Sequence, residues 1–509
     1  MMIKVILLVI FFAVMVAVGI YSRKHAMSVD GFVLGGRSVG PWLTAFAYGT
    51  SYFSAVVFVG YAGQFGWKYG LASTWIGIGN AVIGSLMAWV VLGRRTKVMT
   101  QYLNSKTMPD FFGSRYESKP LKIAASAIVF VFLVPYTASI YNGLSRLFEM
   151  AFHIPYAWCV IGMAVFTGIY VILGGYMATA INDFIQGIIM LAGIIVVIAA
   201  VLNGQGGFLE AVGRMAEIPS DVEITLGQPG AFTSFFGPDP GNLLGVVILT
   251  SLETWGLPQM IGKFYAIKDE KSINTGTVIS TVFAIVVSGG CYFLGGFARL
   301  FDAPAIYDEA GAVVYDSIIP HMLSALPDIL IGIVVVLVLS ASMSTLASLV
   351  LTSSSTLTLD FLKDNLLKEM SEKRQVRTMQ VLVIFFIAVS VFIALDPPTF
   401  IAQLMGISWG ALAGAFLAPF LYGLYWKGTT RAGVWASFIV GVGITVVNMF
   451  MPFIESSINA GAAAMVAGLI VVPVVSLITP KLSREKTDAI FSCYEEKVTI
   501  TKKRSLEQN

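Results

Sequence analysis

Charge is scarce in this chain. Aspartate, glutamate, lysine and arginine make up 12% of its 509 residues, about half the share usual in soluble domains. Hydrophobic residues make up 57%, and mean hydropathy is +0.81. That balance argues against a string of soluble domains and for an all-α polytopic membrane protein. Cysteine is nearly absent: Cys159, Cys291 and Cys493 are scattered and odd in number, so no disulfide framework or metal motif is read. His25, His153 and His321 never pair at i, i+4, which removes the usual helical zinc spacing. Net charge is only +3, and no basic patch interleaved with aromatics points to nucleic acid. Catalytic constellations are missing too. "GISWG" at 406–410 fits G-x-S-x-G, but it lies in an apolar run, whereas the hydrolase elbow needs a strand–turn–helix. Its glycines are expected to allow close helix packing. The chain is not expected to be an enzyme.

What is present is apolar length. Thirteen runs are long enough to cross a bilayer: 3–22, 41–64, 72–93, 121–149, 155–175, 181–202, 241–262, 273–299, 328–360, 378–396, 399–426, 431–452 and 458–479. The first has an apolar core too long for a signal peptide and no small-x-small cleavage site, so it is expected to stay as a span. With the N-terminus outside, the loops that fall inside (23–40, 94–120, 176–180, 263–272, 361–377, 427–431 and 480–509) hold 26 of the 32 Lys and Arg. The outer loops hold Lys68 and Arg214. Positive charge belongs inside, so the expectation is an N-terminus outside and a cytoplasmic C-terminus. The protein then reads as one transmembrane domain, 1–480, in the cell (plasma) membrane, with a short, solvated cytoplasmic tail at 481–509.

Three spans are not plain. The second carries a polar, Gly-led break, Gly49-Thr50-Ser51-Tyr52-Phe53-Ser54. The seventh carries Thr250, Ser251, Glu253 and Thr254, then Trp255-Gly256-Leu257-Pro258. Pro258 lacks a backbone donor and Gly256 permits unusual dihedrals, so a broken helix is predicted there. Irregular backbone at membrane depth is tolerated only where it is buried or lines a cavity, and paired interrupted spans mark transporter sites. The breaks lie five spans apart, which suits two inverted repeats, about 41–202 and 241–426. Span nine contains "SASMSTLASL" (340–349). Ala341, Ser344, Thr345 and Ser348 share one helical stripe. Two readings stay open: a small-xxx-small packing seam through Ser340, Ser344 and Ser348, or an oxygen-rich wall for a hard cation such as Na⁺, by analogy with other hard cations.

Glu253 is the clearest hint about a solute. An intramembrane carboxylate marks a functional site by default. It could receive an ammonium group, carry a proton, or pair with Lys or Arg. Trp255 could stack over a solute or simply pack. Tyr52 and Ser54 line the break in span two.

Six stretches, in order, resemble the sodium/solute symporter family: "GGRS" (35–38), "GTSYFSA" (49–55), "TMPDFFGSRYES" (107–118), "LGGYMATAINDFIQG" (173–187), "WGLPQMIGKF" (255–264) and "SASMSTLASL". The chain is closest in style to the bacterial sodium/proline and sodium/pantothenate branches. The resemblance implies about thirteen spans around a leucine-transporter-like five-plus-five core. It implies a Na⁺ site from the carbonyls of Thr50, Phe53 and Ala341 and the hydroxyls of Ser344 and Thr345. A second ion site would take Asp183, Ser344 and Ser348, but Ala347 stands where family members with that site have a further hydroxyl. Substrate contacts are implied at Tyr52, Ser54, Tyr136, Thr250, Glu253, Thr254 and Trp255, and an inner coupling role at Arg37. Tyr52 replaces an Asp of the proline-type carriers, and Thr250 and Thr254 replace their aromatics. The implied partners are Na⁺, a small organic solute and the lipid bilayer, with a single chain as the functional unit. The solute is an amino acid such as proline, or a carboxylate such as pantothenate. A proton-coupled carrier using Asp183 or Glu253 is the alternative on the same fold.

Overall fold

The computed structural model describes residues 2–364, 366–367, 369–396 and 399–495. Among them the chain is helical, with no β-strand beyond two isolated bridges, Val39 with Ile267 and Tyr307 with Val313. The helices that position the site are α1 (Met2–Ser22), α2 (Pro41–Tyr52), α3 (Val56–Tyr102), α4 (Met108–Arg115), α5 (Lys119–Phe152) and α6 (Tyr156–Gly204). They continue as α7 (Phe208–Glu217), α8 (Pro240–Leu252), α9 (Pro258–Ala266), α10 (Glu270–Gly295), α11 (Tyr315–Ser324) and α12 (Asp328–Lys363). The last five are α13 (Glu372–Leu395), α14 (Ile401–Tyr425), α15 (Arg431–Phe450), α16 (Ser457–Ile478) and α17 (Arg484–Phe491).

Eleven helical runs among the described residues are long and apolar enough to cross a membrane, counting α8 and α9 as one. The sequence divides into thirteen separate crossings. The difference comes from α3 and α6, which run 47 and 49 residues. Straight, each would measure about 70 Å at 1.5 Å per residue, more than twice the ~30 Å hydrocarbon core. Each is interrupted by a glycine in a left-handed conformation, Gly70 at φ +59° and Gly175 at φ +54°, ψ −150°. The expected loop at 176–180 reduces to Gly175 alone. A Cβ there would meet Phe32 at 2.9–3.1 Å, so both dihedral and space demand glycine.

α12 and α14 are buried along most of their length, while α1 and α13 expose most of theirs. α12 packs against α6 and α5, and α2 packs against α6. α14, α15 and α16 form a tight group. There Gly410 fulfils its expected role, since a Cβ would come within 2.7 Å of the Gly461 backbone. Some helix starts are capped by side chains, as Ser118 accepts from the Leu121 N–H and Thr430 from the Gly433 N–H.

The predicted break in the seventh span is present: α8 ends at Leu252 and Pro258 begins α9, at its first position, where its missing N–H costs nothing. Two boundaries differ from what the sequence pattern predicts. The seventh apolar run is expected to end at 262, leaving Lys263 in a loop. Instead α9 continues to Ala266 and Lys263 is buried at 3% exposure. The tail is expected to be solvated. As far as Glu495 it docks, with Phe491 under the Arg115 guanidinium at 5.0 Å and Lys427 paired to Asp488 at 2.7 Å. Residues 496–509 lie outside the described part.

On α11, Asp316 accepts a hydrogen bond from the Ile401 N–H at 3.2 Å and so caps α14. Burial pushes its carboxyl up to about 6, against the opposing pull of that N–H and of Arg146. The folded chain therefore holds this proton more tightly than the unfolded chain, and stability gained by protonation grows as pH falls from about 7 towards 4. Thermal midpoints of wild type and Asp316→Asn, measured across that range, should converge on acidification. The pH-dependent part should be roughly 2–3 kcal/mol, and parallel curves would contradict it.

Candidate ion and solute site

α2 stops at Tyr52, Phe53 is extended (φ −99°, ψ 114°), and helix resumes at Val56. The Ser54 carbonyl accepts from the N–H groups of Val57 and Phe58, both at 3.1 Å, and so starts the second half. A helix that stops leaves its last carbonyls without helical partners. The serine stripe of α12 meets them. Ser344 Oγ lies 2.9 Å from the Thr50 carbonyl and 3.0 Å from the Ala341 carbonyl. Thr345 Oγ1 lies 3.1 Å from the first and 3.0 Å from the second. All four residues are buried, and none carries formal charge. A hydroxyl has one proton, so two hydroxyls cannot donate across four contacts at once. The oxygens converge with more lone pairs than hydrogens, an arrangement that a small hard cation relieves. Phe53 sits in the break itself, with its carbonyl outside the regular helical ladder.

Ser342 lies off the stripe, where only packing is expected. It nevertheless accepts from the Ala55 N–H at 3.2 Å, across the same break. Ser340 only donates back to Val336 of its own helix, at 2.7 Å.

One turn further along α12, Ser348 Oγ is 2.8 Å from Ser51 Oγ and accepts from Lys263 Nζ at 3.0 Å. Lys263 Nζ also stands 3.8 Å from Asp183 Oδ2. Asp183 and Ser348 are thus brought together as the resemblance implied, but a lysine ammonium lies between them. Ser344 stays with the first group of oxygens.

Glu253, in the turn between α8 and α9, is fully buried, and neither of its oxygens has a hydrogen-bond partner among the described residues. Tyr52, Tyr61, Tyr136 and Tyr292 lie within electrostatic reach of its carboxylate. The Trp409 ring links Tyr61 and Tyr136 edge-on, at 5.5 and 5.6 Å. The hydroxyls of Tyr61 and Tyr292 and the Trp409 Nε1 have no partner among the described residues. The other expected solute contacts are engaged with protein. Thr254 Oγ1 donates to Gly84 O at 2.9 Å and Trp255 Nε1 to Ile83 O at 3.0 Å, which fastens this turn to α3. Thr250 Oγ1 donates to Val246 O, and the Thr250 carbonyl accepts from the Tyr52 hydroxyl. Ser54 Oγ accepts from the Val56 N–H.

Arg37 ties the "GGRS" turn to its neighbours, donating to Ser105 O at 2.5 Å and Tyr265 O at 3.5 Å. At this lysine- and arginine-rich end, a narrow cleft of about 40 Å³ reaches Tyr176, Gln259, Lys263 and Ser348. At the opposite end, a vestibule of about 460 Å³ is lined by Gln64, Lys68, Asp239, Asn242, Gln403 and Glu455.

Sequence reasoning missed Asn80, Lys263, Ser342, Tyr61 and Tyr292. Asn80 bridges the Ser251 and Ser288 hydroxyls at 3.2 and 3.0 Å. A polar residue inside an apolar run is itself a signal, and Asn80 carried it. Removing the Ser342 hydroxyl leaves a buried N–H unpaired, so Ser342→Ala should cost about 1–3 kcal/mol in chemical or thermal unfolding. Ser340→Ala, which leaves no backbone group unpaired, should cost clearly less. Equal losses would contradict the assignment.

The profile of the sodium:solute symporter family matches residues 32–441. Sodium/proline symporters of Staphylococcus aureus strains JH9 and NCTC 8325 are each 30% identical to this chain over 503 residues, 94% of it and 93% of the relative. The substrate-bound, outward-open structure of a Na⁺-coupled sialic acid symporter superposes with a TM-score of 0.76 at 14% identity, covering 94% of this chain and 99% of that one. Mhp1, a nucleobase-cation-symport-1 family transporter in a closed conformation, superposes with a TM-score of 0.51 at 15% identity, covering 91% and 98%. These two likenesses show a shared fold. Na⁺ is the coupling ion, a small organic solute is its companion, and the chain, a membrane transporter and not an enzyme, belongs to the sodium:solute symporter family.

Proposed function

We propose that this symporter imports an amine-bearing solute, an amino acid with proline as the first candidate, across the cell membrane by alternating access. The observation that carries the solute class is Glu253, fully buried with both oxygens unpartnered among the described residues. A buried carboxylate without a counter-charge is costly, and a solute ammonium would answer it. The tyrosine rings within electrostatic reach of it suit the apolar body of such a solute, and a ring that meets its ammonium adds cation–π attraction. The 30% identical relatives named for proline support the same class. Tyr52 stands where proline-type carriers have an acid, and its hydroxyl donates to Thr250 beside Glu253. On this reading the acid has moved from one break to the other.

In the proposed cycle Na⁺ is held by the carbonyls of Thr50, Phe53 and Ala341 and the hydroxyls of Ser344 and Thr345. The ion joins α2 to α12 and favours the state open at the vestibule, where the solute enters. Ion and solute then shift the equilibrium through their differential affinity for the two states. The basic end faces the cytoplasm and the N-terminus lies outside, following the distribution of Lys and Arg. The membrane potential supplies roughly 2.3 kcal/mol per charge per 100 mV.

A thermal-shift screen of amino acids, pantothenate, monocarboxylates and sialic acid, in Na⁺ and in K⁺, tests this reading by mass action. The expected result is a Na⁺-dependent shift with an amino acid. A shift confined to carboxylates lacking an amine would overturn it. Glu253→Gln should weaken the solute about tenfold or more while leaving Na⁺ affinity in place. Ser344→Ala and Thr345→Ala should each raise half-saturating Na⁺ about tenfold or more.

A further inference from the structure

The fully buried carboxylate of Asp183 has no hydrogen-bond donor on either oxygen among the described residues. The cation beside it is Lys263, whose Nζ stands 3.8 Å from Oδ2. The same Nζ donates to Ser348 Oγ at 3.0 Å and lies 5.3 Å from the centre of the Tyr176 ring. Ser348 in turn is 2.8 Å from Ser51. The polar chain Asp183, Lys263, Ser348, Ser51 therefore links α6, α9, α12 and α2, all of it buried.

We infer that the Lys263 ammonium is a tethered cation standing where a second Na⁺ would otherwise bind, so that each transport cycle carries one Na⁺. The inference rests on the Na⁺ reading of the Thr50, Ala341, Ser344 and Thr345 oxygens. Three features carry it. The pocket holds one carboxylate and already contains one positive charge. A Na⁺ added there would sit within a few ångströms of the ammonium, where repulsion in a poorly screened interior is severe. Its other oxygens are also too few: Ser344 is committed to the first group, at 2.9 Å from Thr50 O and 3.0 Å from Ala341 O, and Ala347 offers no oxygen. A tethered ammonium also differs from an ion in staying with the protein. Asp183 is neutralised in every state of the cycle and needs no ion for the empty carrier to return.

The test is equilibrium binding of ²²Na⁺ alone to the purified full-length chain. The wild type should bind one ion per chain. Asp183→Asn should still bind one, with affinity within about threefold of wild type, because its carboxylate is not an ion ligand. Lys263→Gln, which keeps the volume and removes the charge, should gain a second ion, and Lys263→Gln/Asp183→Asn should return to one. Two ions in the wild type, loss of the ion in Asp183→Asn, or one ion in a folded Lys263→Gln chain would each overturn the inference. If Lys263→Gln does not fold, the wild-type and Asp183→Asn measurements decide. No binding to the wild type would instead contradict the Na⁺ reading itself, and this inference with it.

Discussion

In a hydrocarbon layer no backbone polar group can turn to water, and the rest of this site depends on how one helix breaks under that constraint. Between Tyr52 and Val56 the chain abandons its helical ladder. The groups released are answered by α12. Ser342 accepts from the Ala55 N–H, and the Ser344 and Thr345 hydroxyls stand over the Thr50 carbonyl. Serine and threonine are small enough to let the two backbones approach and still supply oxygen. The packing seam and the proposed cation wall are therefore the same surface. What makes it more than a repair is the excess of lone pairs over protons among its four converging oxygens.

The second break is mended differently. Thr254 and Trp255 donate to carbonyls of α3 at Gly84 and Ile83, and the Tyr48 hydroxyl donates to that same Gly84 carbonyl at 2.8 Å. Tyr52 joins in through Thr250. α2, α3 and the α8–α9 turn are thereby fastened to one another, while α12 is fastened to α6, as where Tyr170 donates to Met343 O at 2.5 Å. In the proposed cycle the ion sits where these two groups of helices meet. Its presence or absence then changes their relation without disturbing the bonds inside either group.

Much of this was legible in the amino-acid sequence. Span lengths, the two breaks and the spacing of Ala341, Ser344 and Thr345 follow from periodicity and from the chemistry of glycine and proline. The pairing of stripe with break came from the order of motifs, since no local pattern says which helices touch. Lys263 was hidden because a lysine at the edge of an apolar run is counted as loop charge. Only the tertiary fold shows that α9 carries it inward to Asp183. Gly175 was passed over because one left-handed residue is enough where a loop is expected. Thr254 and Trp255 looked available to a solute, because sequence cannot show that α3 already takes their donors.

The central claim is that Na⁺ bridges the break after Tyr52 to the serine stripe of α12. Hydrogen-exchange mass spectrometry on the full-length chain, in Na⁺ and in K⁺ at equal ionic strength, reads both segments together. The account predicts that Na⁺ slows exchange at the backbone amides of 50–56 and 340–348 together, and that Thr345→Ala abolishes both effects. Protection of one segment without the other, or protection that survives Thr345→Ala unchanged, would contradict it.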